Sequence, residues 1–208
     1  MAAFLYLETN FLLGVATGRY DVDALAAARP AGVDLAIPRS CFMESFAAVE
    51  VVIARRRRFG RLLDRRIKKL RTELFLPRVP AIVSQLDLAR VEHDLLADEV
   101  RLRLLAGIER LVSAAVVIDE PTGVLTKSLR EPLIEQPTDN LILHAILDHA
   151  AAHPAAGKAL LTENAKDFRQ SDEAKKALRS AGIVLHGTYA NAIAWMQHAA
   201  AAAPPPSP

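Results

Sequence analysis

Three carboxylates stand where an α/β chain builds its sites. Glu8 directly follows the apolar run Ala3–Leu7, Glu44 lies early in the helix entered after a second apolar run, and Asp139 opens a helix ahead of a third. Thr162, Glu163 and Asn164 directly follow that third run. Open parallel α/β sheets bind ligands beyond the carboxyl ends of their strands, which is where all these residues fall. Carboxylates that converge there repel one another at neutral pH unless a cation joins them. No His or Cys belongs to the set, and oxygen-only ligation favours Mg²⁺ or Mn²⁺ over zinc. A cation so held binds a phosphate oxygen, sharpens an attacking water and offsets charge on the leaving oxygen. The chemistry this pattern points to is phosphodiester hydrolysis.

The elements that must place these acids are short apolar runs separated by helical patterns. Strands are expected at Ala3–Leu7, 33–37 (stopped by Pro38), 159–161 and 183–185, with a weaker one at Val116–Ile118. Helices are expected from Phe11, from Ser40 as N-cap, over roughly 81–115, over 141–151 with Thr138 as cap, and over 190–200. Alternating strands and helices, each strand continuously apolar, predict a parallel sheet covered on both faces. The helix after Ser40 carries apolar residues at Phe42, Phe46, Val49 and Ile53, with Met43 and Ala47 also expected inside. It runs on into a basic stretch, with Gly60 as the place for a break. The reading is one domain over residues 1–198, with 55–115 as a helical insertion, and a disordered tail over 199–208.

Bulk composition narrows the classes. The single cysteine, Cys41, excludes an internal disulfide framework, fits a reducing compartment and is expected to be buried and inert. There is no basic leader and no run of about 20 apolar residues, so a cytoplasmic protein without a membrane span is expected. The net charge of +2 names no partner. Its distribution says more, because ten Lys and Arg side chains fall within residues 55–71, opposed there only by Asp64.

Four stretches, in order, resemble the motifs of the PIN-domain family. FLYLETNFLL is similar to its opening strand and acid-Thr-Asn turn, and IPRSCFMESFAAVE to its helix bearing one Glu. PTDNLILHAILDHA is similar to its helix-start Asp, and ALLTENAKDF to its last strand with Thr-x-Asn/Asp and Asp-Phe. The resemblance implies a three-layer α/β/α fold with a short central parallel sheet, here with a long helical elaboration. It implies a metal-dependent endoribonuclease acting on RNA with Mg²⁺ or Mn²⁺. Glu8, Glu44 and Asp139 would then be the catalytic metal ligands, with Asn164 in the fourth place. Asn10 and Thr162 would orient them, Glu163 could substitute for Asn164, and Asp167 would cap or pair locally. Many compact members are toxins held by a cognate antitoxin and form homodimers, so the resemblance leaves open a toxin-like role, with an antitoxin and a second copy as partners. The family's first acid is usually Asp and its fourth position usually acidic. Glu8 and Asn164 depart from that, which keeps open a weakened fold acting as a nucleic-acid or protein interaction module.

Each residue also has an ordinary role. Glu8 could be a solvated strand end, Glu44 a capping partner of Ser40 or Cys41, Asp139 a complement to the helix dipole and Asn164 a turn former. Arginines on a helix usually form a solvated face, yet near an acidic cleft the set Arg55, Arg58, Arg61 and Arg65 is what nucleic-acid contact needs. Phe59 is the only aromatic in the stripe, so base stacking is not suggested. The six histidines lack ligand spacing beyond His149 and His153 and read as surface residues, and Trp195 reads as a packing residue.

Overall fold

The computed structural model describes residues 3–73, 75–164, 168 and 171–201. Five strands form one all-parallel sheet: β1 (Ala3–Leu7), β2 (Val33–Pro38), β3 (Val116–Ile118), β4 (Gly157–Leu161) and β5 (Ile183–His186). Their order is β3-β2-β1-β4-β5, so β1 is central, with Leu5 opposite Leu35 on one side and Ala159 on the other. Every residue of β1 is buried, as a strand with neighbours on both edges and helices on its faces must be. The helices are α1 (Thr9–Ala16), α2 (Val22–Ala28), α3 (Arg39–Leu70), α4 (Val79–Ala114), α5 (Thr122–Arg130), α6 (Pro137–Ala152), α7 (Asp172–Ser180) and α8 (Tyr189–Ala201). Helix-rich with a five-stranded parallel sheet, the chain is an α/β protein compatible with a three-layer arrangement. Among the described residues no helix is long and apolar enough to cross a membrane.

Helices α3 and α4 dominate the outline. At 32 and 36 residues they form a hairpin, with lengths of about 48 and 54 Å at 1.5 Å per residue. Its base belongs to the main core through Val49, Ile53, Val100, Leu104 and Leu111. Its far end has a small core of its own, Ile67, Leu70, Val79 and Val83. Gly107 lets α4 approach α1: a Cβ there would meet Val15 Cγ1 at 2.7 Å.

Several local expectations change. α3 runs unbroken through Gly60, which is buried because the Arg90 guanidinium of α4 lies across it, 3.1 Å from where a Cβ would stand. The glycine serves helix approach there, not a break. Ser40 does not cap α3. The helix starts at Arg39 behind Pro38, and the Ser40 N–H instead donates to Glu120 Oε1 at 2.9 Å. Thr138 does not cap α6 either, since Pro137 with its preset φ is already inside the first turn. Met43, Phe46 and Ala47 face outward, Met43 at 70% exposure, and the buried stripe is Cys41, Phe42, Ser45, Val49 and Ile53. α2, α5 and α7 had no expectation, being short and alanine- or polar-rich. Ala199 to Ala201 belong to α8 rather than to a tail. Trp195 packs on the core, as expected.

The histidines are not all on the surface. His144 is buried, its Nε2 2.9 Å from the Glu131 carbonyl oxygen. His149 Nδ1 sits 3.0 Å from the Tyr6 hydroxyl, and the His149 ring stacks on that of His153. Burial holds His149 below the ordinary imidazole range, with the neighbouring His153 adding to it.

Candidate functional site

Glu8 leaves β1 at the carboxyl edge of the sheet and caps α1. Its Oε2 accepts from the Asn10 N–H at 3.0 Å and the Asn10 side-chain amide at 3.3 Å. The residue is 2% exposed, and among the described residues its other oxygen, Oε1, is buried without a hydrogen-bond partner of ordinary geometry. A buried carboxylate oxygen in that state is rare, because the water it lost has not been replaced. Burial pushes the Glu8 carboxyl from 4.5 up to about 7; the Asn10 N–H, Thr162 and the Asn10 side chain pull the other way, and the nearby charge of Asp139 adds to the rise.

Around Glu8 the sheet edge collects the other expected residues. Thr9 donates its hydroxyl to Glu44 Oε2, tying the first turn of α1 to the second turn of α3. Asp139 is half-buried in the first turn of α6, close enough for Glu8 to feel its charge. Thr162, the residue after β4, is buried, its hydroxyl accepting from the Asn164 N–H at 3.0 Å. That bond makes Asn164 a turn residue beside the site. Glu163 is engaged elsewhere. Its carboxylate accepts from Arg19 at 2.5 and 2.7 Å and from the Tyr20 hydroxyl. A groove of about 590 Å³, lined by Arg19, Tyr20, Arg103 and Arg110 among others, opens beside that contact. Asp167 lies outside the described residues.

Two contributors were not anticipated. Glu120 lies two residues past the end of β3, and the strand-end rule would have found it had so short a strand been trusted. Asn140, next to Asp139, is buried and uses both ends of its amide. Oδ1 accepts from the Leu133 and Ile134 N–H groups at 2.8 and 3.2 Å, and Nδ2 donates to Ser128 and Glu131 carbonyls at 2.6 and 3.4 Å. It fixes the entry to α6 and so the place of Asp139. Cys41 is buried, as expected; burial pushes its thiol well up, and the charges of Glu8, Glu44 and Glu120 add to it. A thiol so placed is a packing group, not a nucleophile.

At the carboxyl edge the charge of Asp139 reaches Glu8, and the charges of Glu8, Glu44 and Glu120 reach Cys41. Among the described residues, no three His, Cys, Asp or Glu side chains are arranged so as to hold a metal ion together. The donor set is still all oxygen, and the partnerless Oε1 of Glu8 is the kind of group a hard cation satisfies, so the residues fit Mg²⁺ or Mn²⁺.

Arg55, Arg58, Arg61 and Arg65 are exposed on α3 and have no ion-pair partner among the described residues. They sit on the same continuous helix as Glu44, about 16 to 32 Å further along its axis. At about 100° per residue, Arg55 and Arg58 lie within about 40° of the Glu44 direction and Arg65 within about 60°. The basic residues thus lead away from the acidic edge along the hairpin.

Comparison with family models, with curated proteins and with solved structures finds no match.

Proposed function

We propose that this chain is a Mg²⁺- or Mn²⁺-dependent endoribonuclease of PIN type, working at the edge where Glu8 stands. The observation that carries the reading is Glu8 itself: a carboxylate just past the end of the central strand, buried, with one oxygen unsatisfied among the described residues and the charge of Asp139 acting on it. Proteins tolerate such a group where it has a task. Glu8, Glu44 and Asp139 would hold the ion, with Asn164 in a neutral fourth place. When bound, the ion would polarise the scissile phosphate and lower the pKa of an attacking water.

The other roles belong to the chain. Asn10 and Thr162 favour the ionised form of Glu8 against its burial, Thr9 holds Glu44, and Asn140 sets the position of Asp139. The exposed arginines of α3 offer phosphate contacts to a strand that leaves the site along the hairpin. A cytoplasmic location belongs to this reading, and a cognate antitoxin and a homodimer belong to its toxin-like form.

One observation favours a second reading, a PIN-like module that binds nucleic acid or protein without cutting. Burial raises Glu8 to about 7, so its protonated form competes with metal binding at neutral pH, and Glu163 is committed to Arg19 and Tyr20. The deciding experiment is cleavage of single-stranded RNA with Mn²⁺ or Mg²⁺, run beside thermal unfolding with and without millimolar Mn²⁺. The nuclease reading expects cleavage abolished by EDTA and by Asp139→Asn, and a melting temperature that Mn²⁺ raises in the wild type only. Cleavage that survives both treatments ends the metal mechanism. RNA binding with neither cleavage nor a Mn²⁺ shift selects the binding module.

A further inference from the structure

Two side chains in the turn after α1 hold the Glu163 carboxylate. Arg19 Nη1 donates to both of its oxygens, at 2.7 and 2.5 Å, and the Tyr20 hydroxyl donates to Oε1. Both donors are fixed from behind. The Tyr20 ring packs parallel to those of Phe11 and Tyr189, with centroids 5.5 and 5.2 Å away. It lies over Gly14, 2.1 Å from where a Cβ would stand, so a larger residue would push it out. Arg19 Nε donates to Thr17 Oγ1 at 3.3 Å, and the Arg19 and Tyr20 N–H groups both return to the Gly14 carbonyl, at 2.8 and 3.2 Å. Burial pushes the Tyr20 hydroxyl up to about 12, and Glu163 adds to the rise, so the hydroxyl stays a donor. A guanidinium and a hydroxyl held ready in this way suit an oxyanion.

We propose that Arg19 and Tyr20 form a phosphate site for the RNA strand, and that Glu163 fills it until a strand phosphate displaces the carboxylate. The inference rests on the nucleic-acid reading above and deepens it. Place and exposure both support the exchange. Glu163 stands between Thr162 and Asn164 at the candidate site, and the charge of Glu8 reaches Tyr20. The Arg19–Glu163 pair is open to water, its side chains 52% and 29% exposed, so it contributes little to folding and can change partners at little cost. The groove of about 590 Å³ beside it gives a strand room to lie. That groove is not basic in sum. Its Arg103 and Arg110 are held by Glu99 and Asp23, and Asp21 is turned onto the start of α2. Recognition therefore lies in the placed donors of Arg19 and Tyr20 more than in total charge, and the carboxylate seated on them is a built-in competitor.

Fluorescence anisotropy of the full chain with a labelled single-stranded oligoribonucleotide, in EDTA so that no metal-dependent cut intervenes, tests it. Glu163→Gln should bind about fivefold tighter than wild type, because an exposed ion pair no longer competes. Arg19→Ala should bind about tenfold weaker, the scale of a charge-assisted pair. Tyr20→Phe, which keeps the ring packing, should also bind more weakly. Adding Glu163→Gln to Arg19→Ala should then change nothing, which separates a seated competitor from a general effect of removing negative charge. Glu163→Gln that leaves the affinity unchanged overturns the inference, as does a gain of equal size in the Arg19→Ala background. Calorimetry of the same variants with inorganic phosphate distinguishes a strand from a free phosphate: the pattern with inorganic phosphate but not with RNA overturns the RNA assignment. Cleavage by the wild type with Mn²⁺ decides the nuclease reading separately. Cleavage with an unresponsive Glu163 ends this inference alone, and a responsive Glu163 without cleavage keeps the phosphate site on a binding module.

Discussion

The sheet edge around Glu8 and the basic face of α3 are both charged, and the charges obey opposite rules. At the edge the acids are few, and Glu8, the most deeply buried, has an oxygen left without a partner among the described residues. Removing water there makes Glu8 costly to ionise and hard to replace. On α3 the arginines are many, exposed and screened, so each one matters little and only their sum acts at a distance. A nuclease needs both kinds of place, one where single atoms decide the chemistry and one where the total charge decides residence. The comparison implies that point substitutions should be severe at the edge and gradual along the hairpin.

The largest effect expected is on turnover. Asp139→Asn removes a charge from the edge without removing volume, and should lower the rate of RNA cleavage by about 100-fold or more, since groups that act directly in such reactions contribute on that scale. Single-turnover cleavage at saturating protein measures it, and a loss under tenfold would place Asp139 outside the chemistry.

Next comes the pH dependence of stability. The folded-state value for Glu8 lies above its unfolded value of 4.5, at about 7. Its protonated form therefore favours folding: this contribution is fully present below about 4.5 and is lost as pH rises through about 7. The full amount corresponds to about 3 kcal/mol. Glu8→Gln should be more stable than wild type at pH 8, with the difference vanishing near pH 4, while losing cleavage. Urea unfolding of both proteins from pH 4 to 8 checks this. A constant difference across that range would mean that Glu8 is not the buried titrating group. Mn²⁺ should protect the wild type more at pH 8 than at pH 5, because binding needs the ionised carboxylate.

How much of this was legible in the residues follows the same division. β1 and Glu8 were plain, because a fully apolar run ending in Glu-Thr-Asn has few alternatives. The parallel sheet followed from strands that were apolar without alternation. The direction of α3 was misjudged at Met43 and Phe46, because its apolar residues are too frequent to mark one face, and only packing chooses Cys41, Phe42 and Ser45. Glu120 was overlooked because three residues of β3 make a weak strand signal. Glu163 looked available for a ligand role until Arg19 and Tyr20, 144 and 143 residues away in sequence, were found on it. Contacts at that separation leave no local pattern.

Between the edge and the basic face stands the far end of the hairpin. Its core is only Ile67, Leu70, Val79 and Val83, with Leu63 and Leu86 against it. Leu70→Ala should cost about 2 kcal/mol or more, as buried leucine truncations do. The loss should appear mainly as local opening, because this cluster is separate from the main one. Hydrogen exchange should speed up around residues 63–86 while β1 stays protected. Equal acceleration in β1 would show that the hairpin and the sheet unfold together.

The smallest single effects are expected on the arginine face, and they sharpen the comparison most. Arg55→Ala, Arg58→Ala, Arg61→Ala or Arg65→Ala alone should change RNA affinity only a few-fold. All four together should flatten the slope of log affinity against log salt by about 3 for a single strand, at about 0.7 for each phosphate that is no longer neutralised. The cleavage rate of RNA already bound should stay unchanged, because these residues lie about 16 to 32 Å along α3 from Glu44. Fluorescence anisotropy across a salt series gives the slope, and single-turnover assays give the rate. A slope unmoved by the quadruple substitution would make the stripe a solvated face. A fall in the bound-state rate would bring the arginines into the chemistry and erase the division between the two regions.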